Sequence, residues 1–316
     1  MTKSETLVAP PIAAPAPNRV WLGWALTVAS TFAFSIATPL GKVMVTAHLY
    51  PAQILIVRYG CAALLLALSL AIFAPDKLRI DRRGLLIITA AGLVNGLGSL
   101  TYFAALTRID ASVASMIFSI NPLVVLGLLA LAGEKLTHRH TVRVILGIAG
   151  AYLLLGPGGR VDLLGSLMAF GSVIGFTLEL CLMQWFLRDY DSRTLALYIL
   201  ISMWLLAFGF WLAQGLPWTD PGPSGWWALG LLTTVSTYFG WLAMFIGIRY
   251  IGSGQVAMLM SLETVLSVSW AILFLQEHLN VAQFVGGGLI LCSALLAVQR
   301  LRRVNWRSRW WAVWWA

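Results

Sequence analysis

Two stretches of this sequence repeat one another in outline at a distance of 142 residues. The first, residues 105–136, reads ALTRIDASVASMIFSINPLVVLGLLALAGEKL, and the second, residues 247–279, reads GIRYIGSGQVAMLMSLETVLSVSWAILFLQEHL. One gap near the end brings the closing GEKL and QEHL into line, and Ile109 and Met116 match Ile251 and Met258. Identity is weak, but the order of apolar stretches and loops is the same. The chain is therefore expected to contain two related halves.

Each half contains five long apolar stretches, so the whole chain contains ten. They lie near 21–46, 51–74, 84–106, 111–132, 142–156, 163–187, 193–213, 226–248, 254–275 and 281–299. A helix needs about 20 apolar residues to cross a bilayer, and most of these stretches are long enough. The composition agrees, because 316 residues that are 59% hydrophobic and 10% charged cannot bury their apolar surface in a water-soluble core. We predict an all-α integral membrane protein with ten transmembrane helices.

Basic residues are concentrated in alternate gaps between these stretches. Seventeen of the twenty-one Lys and Arg residues lie on one side: Lys3, Arg19, Lys77, Arg79, Arg82, Arg83, Lys135, Arg139, Arg143, Arg188, Arg193, Arg249, Arg300, Arg302, Arg303, Arg307 and Arg309. The positive-inside rule places this side, and with it both termini, in the cytoplasm. The net charge of +9 is explained by these short loops and the C-terminus, so we do not expect nucleic acid as a partner.

The number of spans in each half has a topological consequence. Because five is odd, the second half must enter the membrane in the opposite direction to the first. Such inverted-topology repeats are typical of secondary transporters, whose binding sites lie near the midplane between the repeats. The expected partners are therefore a small-molecule substrate and membrane lipid.

Three polar residues from different spans are expected at the same depth. Asn121 lies roughly 15 Å along its span from Ala111, and Glu263 lies roughly 14 Å from Gly254, so both fall near the bilayer centre. They also occupy equivalent positions in the two halves. Asn95, about 17 Å into the third span, reaches the same level, and its counterpart is Thr237.

Polar and aromatic residues recur at helical spacing in several spans. The stripes are Asn95, Ser99 and Tyr102; Thr234, Tyr238 and Trp241; Glu263, Ser267 and Trp270; Thr31, Ser35, Thr38 and Lys42; and Ser172, Gly175 and Glu179. Residues spaced in this way share one helix face. A single Ser, Thr or Gly is explained by helix packing, but the stripes together favour a hydrated cavity.

Four ionisable residues lie inside the spans, where each costs about 2.5–3.5 kcal/mol unless it is paired or hydrated. Lys42 is close enough to the outer edge to reach water. Arg58 fits either a structural salt bridge with Glu263 or Glu179, or a role in substrate binding. Glu263 is the strongest candidate for binding a cationic group or carrying a proton, and Glu179 is the second candidate for a proton or a cavity charge.

The residues quoted above resemble a known family. GEKL at 133–136, QEHL at 276–279, Arg58, INPLVVLGLLALAGEKL and SLETVLSVSWAILFLQEHL are similar to the drug/metabolite transporter superfamily, EamA type. The resemblance covers about Trp21 to Gln299 and implies a ten-helix inverted-repeat transporter of small metabolites, usually an exporter, in a bacterial inner membrane. Thr264 stands where the family usually has proline. Glu134 and Glu277 match its acidic motif residues at the membrane edges, where we expect them to cap helices or pair with loops.

The resulting division of the chain has four parts. Residues 1–20 form a proline-rich, disordered cytoplasmic tail, residues 21–157 the first repeat and residues 161–299 the second. Residues 300–316 form a basic, Trp-rich tail expected to lie in the membrane interface.

On these grounds we predict export of small neutral or zwitterionic, amino-acid-like metabolites by alternating access. The predicted substrate-binding residues are Glu263, Asn121, Asn95, Tyr102, Tyr238, Trp241, Trp270 and Arg58. A multidrug-type exporter of hydrophobic cations is the alternative, because Glu263 and the aromatic residues suit such ligands too. A channel or an intramembrane enzyme is a different class, but the chain has no HExxH, GxSxG or GxxxxGK[ST] motif. We therefore expect no catalytic residues, no metal site and no cofactor.

Overall fold

The computed structural model describes residues 20–298, except 79, 122, 125–126, 128–137, 156–161, 188–189, 252–255, 257–258 and 260–261. The predictions for both terminal tails and for Glu134 therefore concern residues outside the described part of the chain. Within that part every regular element is helical.

Most helices follow the predicted spans, but of the fourth span, 111–132, the structure gives a continuous helix only over Ala111–Phe118. The first half contains α1 (Val20–Ser35), α2 (Ala37–Thr46), α3 (Pro51–Phe73), α4 (Arg82–Leu106), α5 (Ala111–Phe118) and α6 (His138–Leu155). The second half contains α7 (Leu163–Phe186), α8 (Ser192–Gln214), α9 (Gly222–Leu231), α10 (Gly240–Ile251), α11 (Leu262–Leu275) and α12 (Val281–Val298). Helices α1 and α2 together form the first span. A π-helix, Leu232–Phe239, joins α9 to α10, and these three segments form the eighth span.

Five of these helical segments are long and apolar enough to cross a membrane by length and composition alone: Val20–Thr46, Pro51–Phe73, Arg82–Leu106, Leu163–Met183 and Arg193–Gln214. Shorter apolar helices occupy the fifth, ninth and tenth spans. Helix α3 carries a row of exposed apolar side chains at Leu64, Leu68 and Ile72. Such a row is costly in water but suits contact with lipid.

Local sequence signals set several helix ends. Asp81 and Asp162 cap α4 and α7 by accepting hydrogen bonds from the backbone N–H groups of Gly84 and Gly165. Pro51 occupies the first turn of α3, where its missing N–H costs nothing. Gly215 ends α8 in the left-handed conformation (φ 59°), which glycine adopts without steric cost.

The helix packing has the two-fold pseudo-symmetry expected of two related halves. All of these contacts cross between the halves. Helix α1 packs on α10 as its counterpart α7 packs on α4, and α3, α5 and α6 each pack on their own counterparts, α8, α11 and α12. The closest approaches repeat as well. A Cβ added at Gly23 would lie 2.8 Å from Ile251 Cγ2, and one at the equivalent Gly165 would lie 2.8 Å from Ile109 Cγ2. The all-α, ten-span repeat architecture is therefore confirmed.

Candidate functional site

Arg58 lies in the middle of α3 and is half-buried. Its Nε donates a 2.8 Å hydrogen bond to Thr237 Oγ1 in the π-helix, and its guanidinium lies 5.4 Å from the ring centre of Tyr59 and 5.9 Å from that of Phe103. Within the described part of the chain, the two Nη groups have no hydrogen-bond partner. These two groups form the face of a guanidinium that binds carboxylates in bidentate geometry.

Glu263 lies near the start of α11, which runs without interruption past Thr264. Its carboxyl makes no hydrogen bond or salt bridge with any residue that the structure describes. Arg58 approaches α4 at Phe103, next to Tyr102, and Ser267, one turn beyond Glu263, lies 2.9 Å from Ser115 of α5. Arg58 and Glu263 therefore face a common region without forming the structural salt bridge that the sequence left open.

Aromatic side chains lie around this region with their polar atoms already paired. The hydroxyl groups of Tyr102 and Thr38 are 2.8 Å apart, and the Tyr102 ring packs edge-on against Phe118 at 5.6 Å. Trp270 donates its indole N–H to Ser35 Oγ at 3.0 Å and stacks on Phe274 at 5.5 Å. The ring surfaces, rather than the polar atoms, are what these residues can offer to a ligand.

Asn95 and Glu179 form a separate, more deeply buried pair. Asn95 is 7% exposed and donates from Nδ2 to Glu179 Oε2 at 2.7 Å, while Glu179 is 1% exposed. The same amide nitrogen is 3.7 Å from Met203 Sδ in α8. The pair therefore lies where α4, α7 and α8 meet. No basic side chain in the described ranges contacts Glu179, so the amide of Asn95 is its polar partner there.

Asn121 and Glu263 occupy equivalent positions but have different surroundings. Asn121 is buried and accepts a 3.1 Å hydrogen bond from Thr177 Oγ1. The counterpart of Thr177 in the other half is Ser35, whose hydroxyl donates to Phe32 O at 2.8 Å and accepts the indole N–H of Trp270, and does not bond to Glu263. The side-chain oxygen of Asn121 thus has a hydrogen-bond donor, whereas the equivalent carboxyl of Glu263 has none among the described residues.

The π-helix at Leu232–Phe239 is an irregular feature of the eighth span. Thr237 Oγ1 donates to Leu232 O at 2.9 Å while it accepts from Arg58. Two further hydroxyl groups of this segment, on Thr233 and Ser236, are buried without a hydrogen-bond partner. π-helical turns inside longer helices occur frequently at functional sites.

The structure differs from the predicted stripes in this span. The sequence grouped Thr234 with Tyr238 and Trp241 at α-helical spacing, but Thr234 is exposed and bonds to Gly230 O. Tyr238 and Trp241 line a narrow crevice between α3, α8 and the eighth span. Thr237, named from the sequence only as the counterpart of Asn95, is the residue that contacts Arg58. The stripe of Ser172, Gly175 and Glu179 also serves packing in part, because Gly175 lies against the backbone of α4.

Two charged residues bind the ends of neighbouring helices at the edge of the bundle that the charge pattern places outside the cell. Lys42 Nζ donates to Leu106 O at 2.9 Å and to Ile109 O at 2.6 Å, where α4 ends. Glu277 accepts from Ala111 N at 2.7 Å and from the N–H and Oγ of Ser112 at 2.9 and 2.6 Å, where α5 begins. Lys42 is thus an edge residue, and Glu277 is a helix cap that joins the two halves.

Comparison with known proteins agrees with this architecture. A model of the EamA-like transporter family matches residues 21–156 and again residues 163–299. The chain is 30% identical over 173 residues to the uncharacterized transporter YvbV of Bacillus subtilis, a match that covers 52% of this chain and 55% of that protein. It is 23% identical over 293 residues to the pseudopaline exporter CntI of Pseudomonas aeruginosa, covering 89% of this chain and 97% of CntI.

A solved crystal structure shares the fold. It superimposes with a TM-score of 0.59 at 19% identity and covers 85% of this chain and 96% of the other. The two family matches together span most of the sequence, and they coincide with the two halves that pack with pseudo-symmetry. This chain belongs to the EamA-like transporter family, within the drug/metabolite transporter superfamily, and is a multi-pass membrane protein.

Proposed function

We propose that this protein exports small zwitterionic, amino-acid-like metabolites by alternating access. The observation that carries the proposal is the pair of charged side chains inside the spans that have no salt-bridge partner among the described residues: Arg58, with its free Nη groups, and Glu263, with its free carboxyl. A substrate with a carboxylate and an ammonium group would satisfy both. CntI is named as an exporter, which supports outward transport here.

The other predicted residues have matching roles in the proposal. Tyr102, Tyr238, Trp241 and Trp270 provide apolar and cation-π surface for the body of the substrate and its ammonium group. Asn121, through its hydrogen bond with Thr177, and Asn95, through its hydrogen bond with Glu179, join the helices around the site. Glu263 and Glu179 are the candidate proton carriers, because both carboxyls lie inside spans without a salt-bridge partner among the described residues.

Alternating access requires the two halves to separate at one edge and close at the other. The Glu277 cap joins α11 to α5, and Gln53 exchanges two hydrogen bonds with the backbone of Thr219, again between the halves. These contacts close the edge predicted to be extracellular. In the proposed cycle they break when the site opens outward.

The proposal is tested by counterflow of radiolabelled amino acids into liposomes that contain the purified protein. Each substrate is compared with its decarboxylated amine. Loss of a hydrogen-bonded ion pair costs about 1.5–3 kcal/mol, so Arg58→Gln should raise the KM for amino acids roughly 10- to 150-fold and leave the amines unchanged. Glu263→Gln should raise the KM for both compounds. Arg83→Gln, an exposed residue away from the site, is the matched control.

Two results would contradict the proposal. If the wild-type protein showed no saturable counterflow of any amino acid, the substrate class would be wrong. If Arg58→Gln and the wild type carried hydrophobic cations equally well, while Glu263→Gln carried none, the multidrug alternative would replace it.

Uptake that is dependent on pH in the wild type and independent of pH in Glu263→Gln would assign the proton to that residue.

A further inference from the structure

One face of α3 continues from Arg58 to the end of the helix. Arg58, Ala62, Leu66, Ser69 and Phe73 are spaced by three or four residues and therefore share this face. Ala62 and Leu66 line the narrow crevice that also contains Tyr238 and Trp241. Leu66, Ser69 and Phe73 line its wider continuation, which has a volume of about 190 Å³.

The narrow part has a volume of only about 10 Å³, room for about one water molecule, so the crevice must widen before a substrate can pass along it. Counting along α3, Ala62 and Phe73 are roughly 17 Å apart. Its inner end is lined by Thr237, the residue that accepts the hydrogen bond from Arg58. The other end of the crevice lies at the C-terminus of α3, on the side that the charge pattern predicts to be cytoplasmic. The crevice thus connects that edge of the bundle with the surroundings of Arg58.

Arg193 lines both parts of the crevice. It lies in the first turn of α8, its side chain is exposed, and its guanidinium has no hydrogen-bond or salt-bridge partner among the residues that the structure describes. The other residues lining the wide part are apolar apart from Ser69. A single positive charge beside low-dielectric walls focuses its field along the opening and attracts anions.

We infer that Arg193 is the first recognition point for the carboxylate of a substrate that approaches from the cytoplasm. The carboxylate then passes along the α3 face to Arg58, so that the two guanidinium groups act in sequence. This inference rests on the proposed function, because it requires a substrate with an anionic group.

A phosphate of a membrane lipid is the competing occupant of the crevice. The geometry favours a soluble substrate for two reasons. Three of the four exposed large apolar residues of α3, Leu64, Leu68 and Ile72, belong to a neighbouring face rather than to the crevice, and the fourth, Phe73, lines only its end at the C-terminus of the helix. The crevice also leads inward past Thr237 to Arg58, whose free Nη groups offer a carboxylate a partner that an acyl chain cannot use.

The first test measures the access of ions to the crevice and needs no known substrate. Ser69→Cys is introduced after the exposed Cys61 and Cys292 are changed to serine. We then compare the rates at which two methanethiosulfonate reagents label the new cysteine. The sulfonatoethyl reagent is anionic, and the trimethylammonioethyl reagent is cationic. A charge about 7 Å away in water changes the local concentration of each ion roughly threefold in opposite directions. Arg193→Gln should therefore lower the anion-to-cation rate ratio about tenfold, whereas Arg82→Gln should not.

The second test is transport into liposomes. A group that speeds access acts equally on inward and outward passage, so Arg193→Gln should lower Vmax/KM for an amino acid up to about threefold in both directions. It should also weaken the salt dependence of Vmax/KM. The corresponding amino-acid amide keeps the ammonium group and lacks the carboxylate, so its Vmax/KM should not fall, because the positive charge that is removed repels a cation. Arg82→Gln again serves as the control.

The outcomes separate this inference from the proposed function. Failure of both water-soluble reagents to label Ser69→Cys would show a crevice filled by lipid and would overturn the inference. A rate ratio unchanged by Arg193→Gln would overturn it too. If wild-type transport of amino acids is absent but the charge-selective labelling is present, the proposed substrate is wrong and the anion-attracting route stands. If transport is present and Arg193→Gln leaves it unchanged, the route is wrong and the proposed function stands.

Discussion

Replacing Glu277 with glutamine tests the contact that joins the two halves at the outer edge. Its two carboxylate oxygens hold Ala111 N at 2.7 Å and Ser112 N at 2.9 Å. Glutamine has one oxygen and no charge, so one amide loses its partner and the other loses a charge-assisted bond. A hydrogen bond to a charged group contributes about 1.5–3 kcal/mol, and a charge at a helix N-terminus adds about 0.3–1 kcal/mol. We expect local opening at the start of α5 to become easier by about 2 kcal/mol.

The assay is amide hydrogen exchange of the peptide that contains Ala111 and Ser112, measured in detergent micelles. A change of about 2 kcal/mol corresponds to roughly 30-fold faster exchange where opening is a rapid equilibrium. His278→Gln, at the exposed neighbouring position, should leave the exchange rate unchanged. If Glu277→Gln left the exchange of both amides at the wild-type rate, the carboxylate would not hold α5, and the reasoning would be refuted.

Two further substitutions test the packing and a surface hydrogen bond. A Cβ at Gly175 would lie 2.9 Å from Val94 O, so Gly175→Ala should lower stability by about 1–3 kcal/mol, whereas Gly230→Ala, which meets no atom within 4 Å, should not. Thermal unfolding in detergent measures both. The Tyr190 hydroxyl donates to Asp81, and this bond lowers the pKa of the Asp81 carboxyl. The stabilisation is therefore present at neutral pH and lost as the pH falls below about 4, the unfolded pKa, and Asp81→Asn should abolish this acid-dependent component of the unfolding temperature. An equal fall in the unfolding temperature on acidification for the wild type and Asp81→Asn would contradict the second expectation.

The fold could be predicted because hydropathy and repetition are properties of long segments. Apolar stretches of membrane-spanning length predicted the helices, and the aspartates that precede α4, α7 and α8 lie at their starts. The 142-residue offset also predicted which residues are equivalent in space. Gly23 and Gly165 obey it in detail, because each lies against residues that are themselves separated by the same offset.

The irregular parts of the site could not be predicted in the same way. An α-helical spacing of 3.6 residues per turn was assumed for the eighth span, and the π-helix changes which side chains face α3. Thr237 therefore contacts Arg58, and Thr234 is exposed. Arg193 was counted only as one of the basic residues that set the orientation, because its position at the crevice depends on how α3 and α8 pack.

The differences between the halves indicate where the symmetric scaffold is specialised. Asn121 in the first half accepts a hydrogen bond from Thr177, but the equivalent Glu263 in the second half receives none from Ser35, the counterpart of Thr177. The Ser35 hydroxyl donates to Phe32 O instead and accepts the indole N–H of Trp270. A strictly symmetric pair would satisfy both positions and leave no charge inside the bundle. Because an unpaired carboxyl inside a span is costly, we propose that a ligand neutralises Glu263 and the free Nη groups of Arg58 during transport. A second amide in place of Glu263 should therefore stabilise the ligand-free protein while it weakens substrate binding, and one variant, Glu263→Gln, measures both effects.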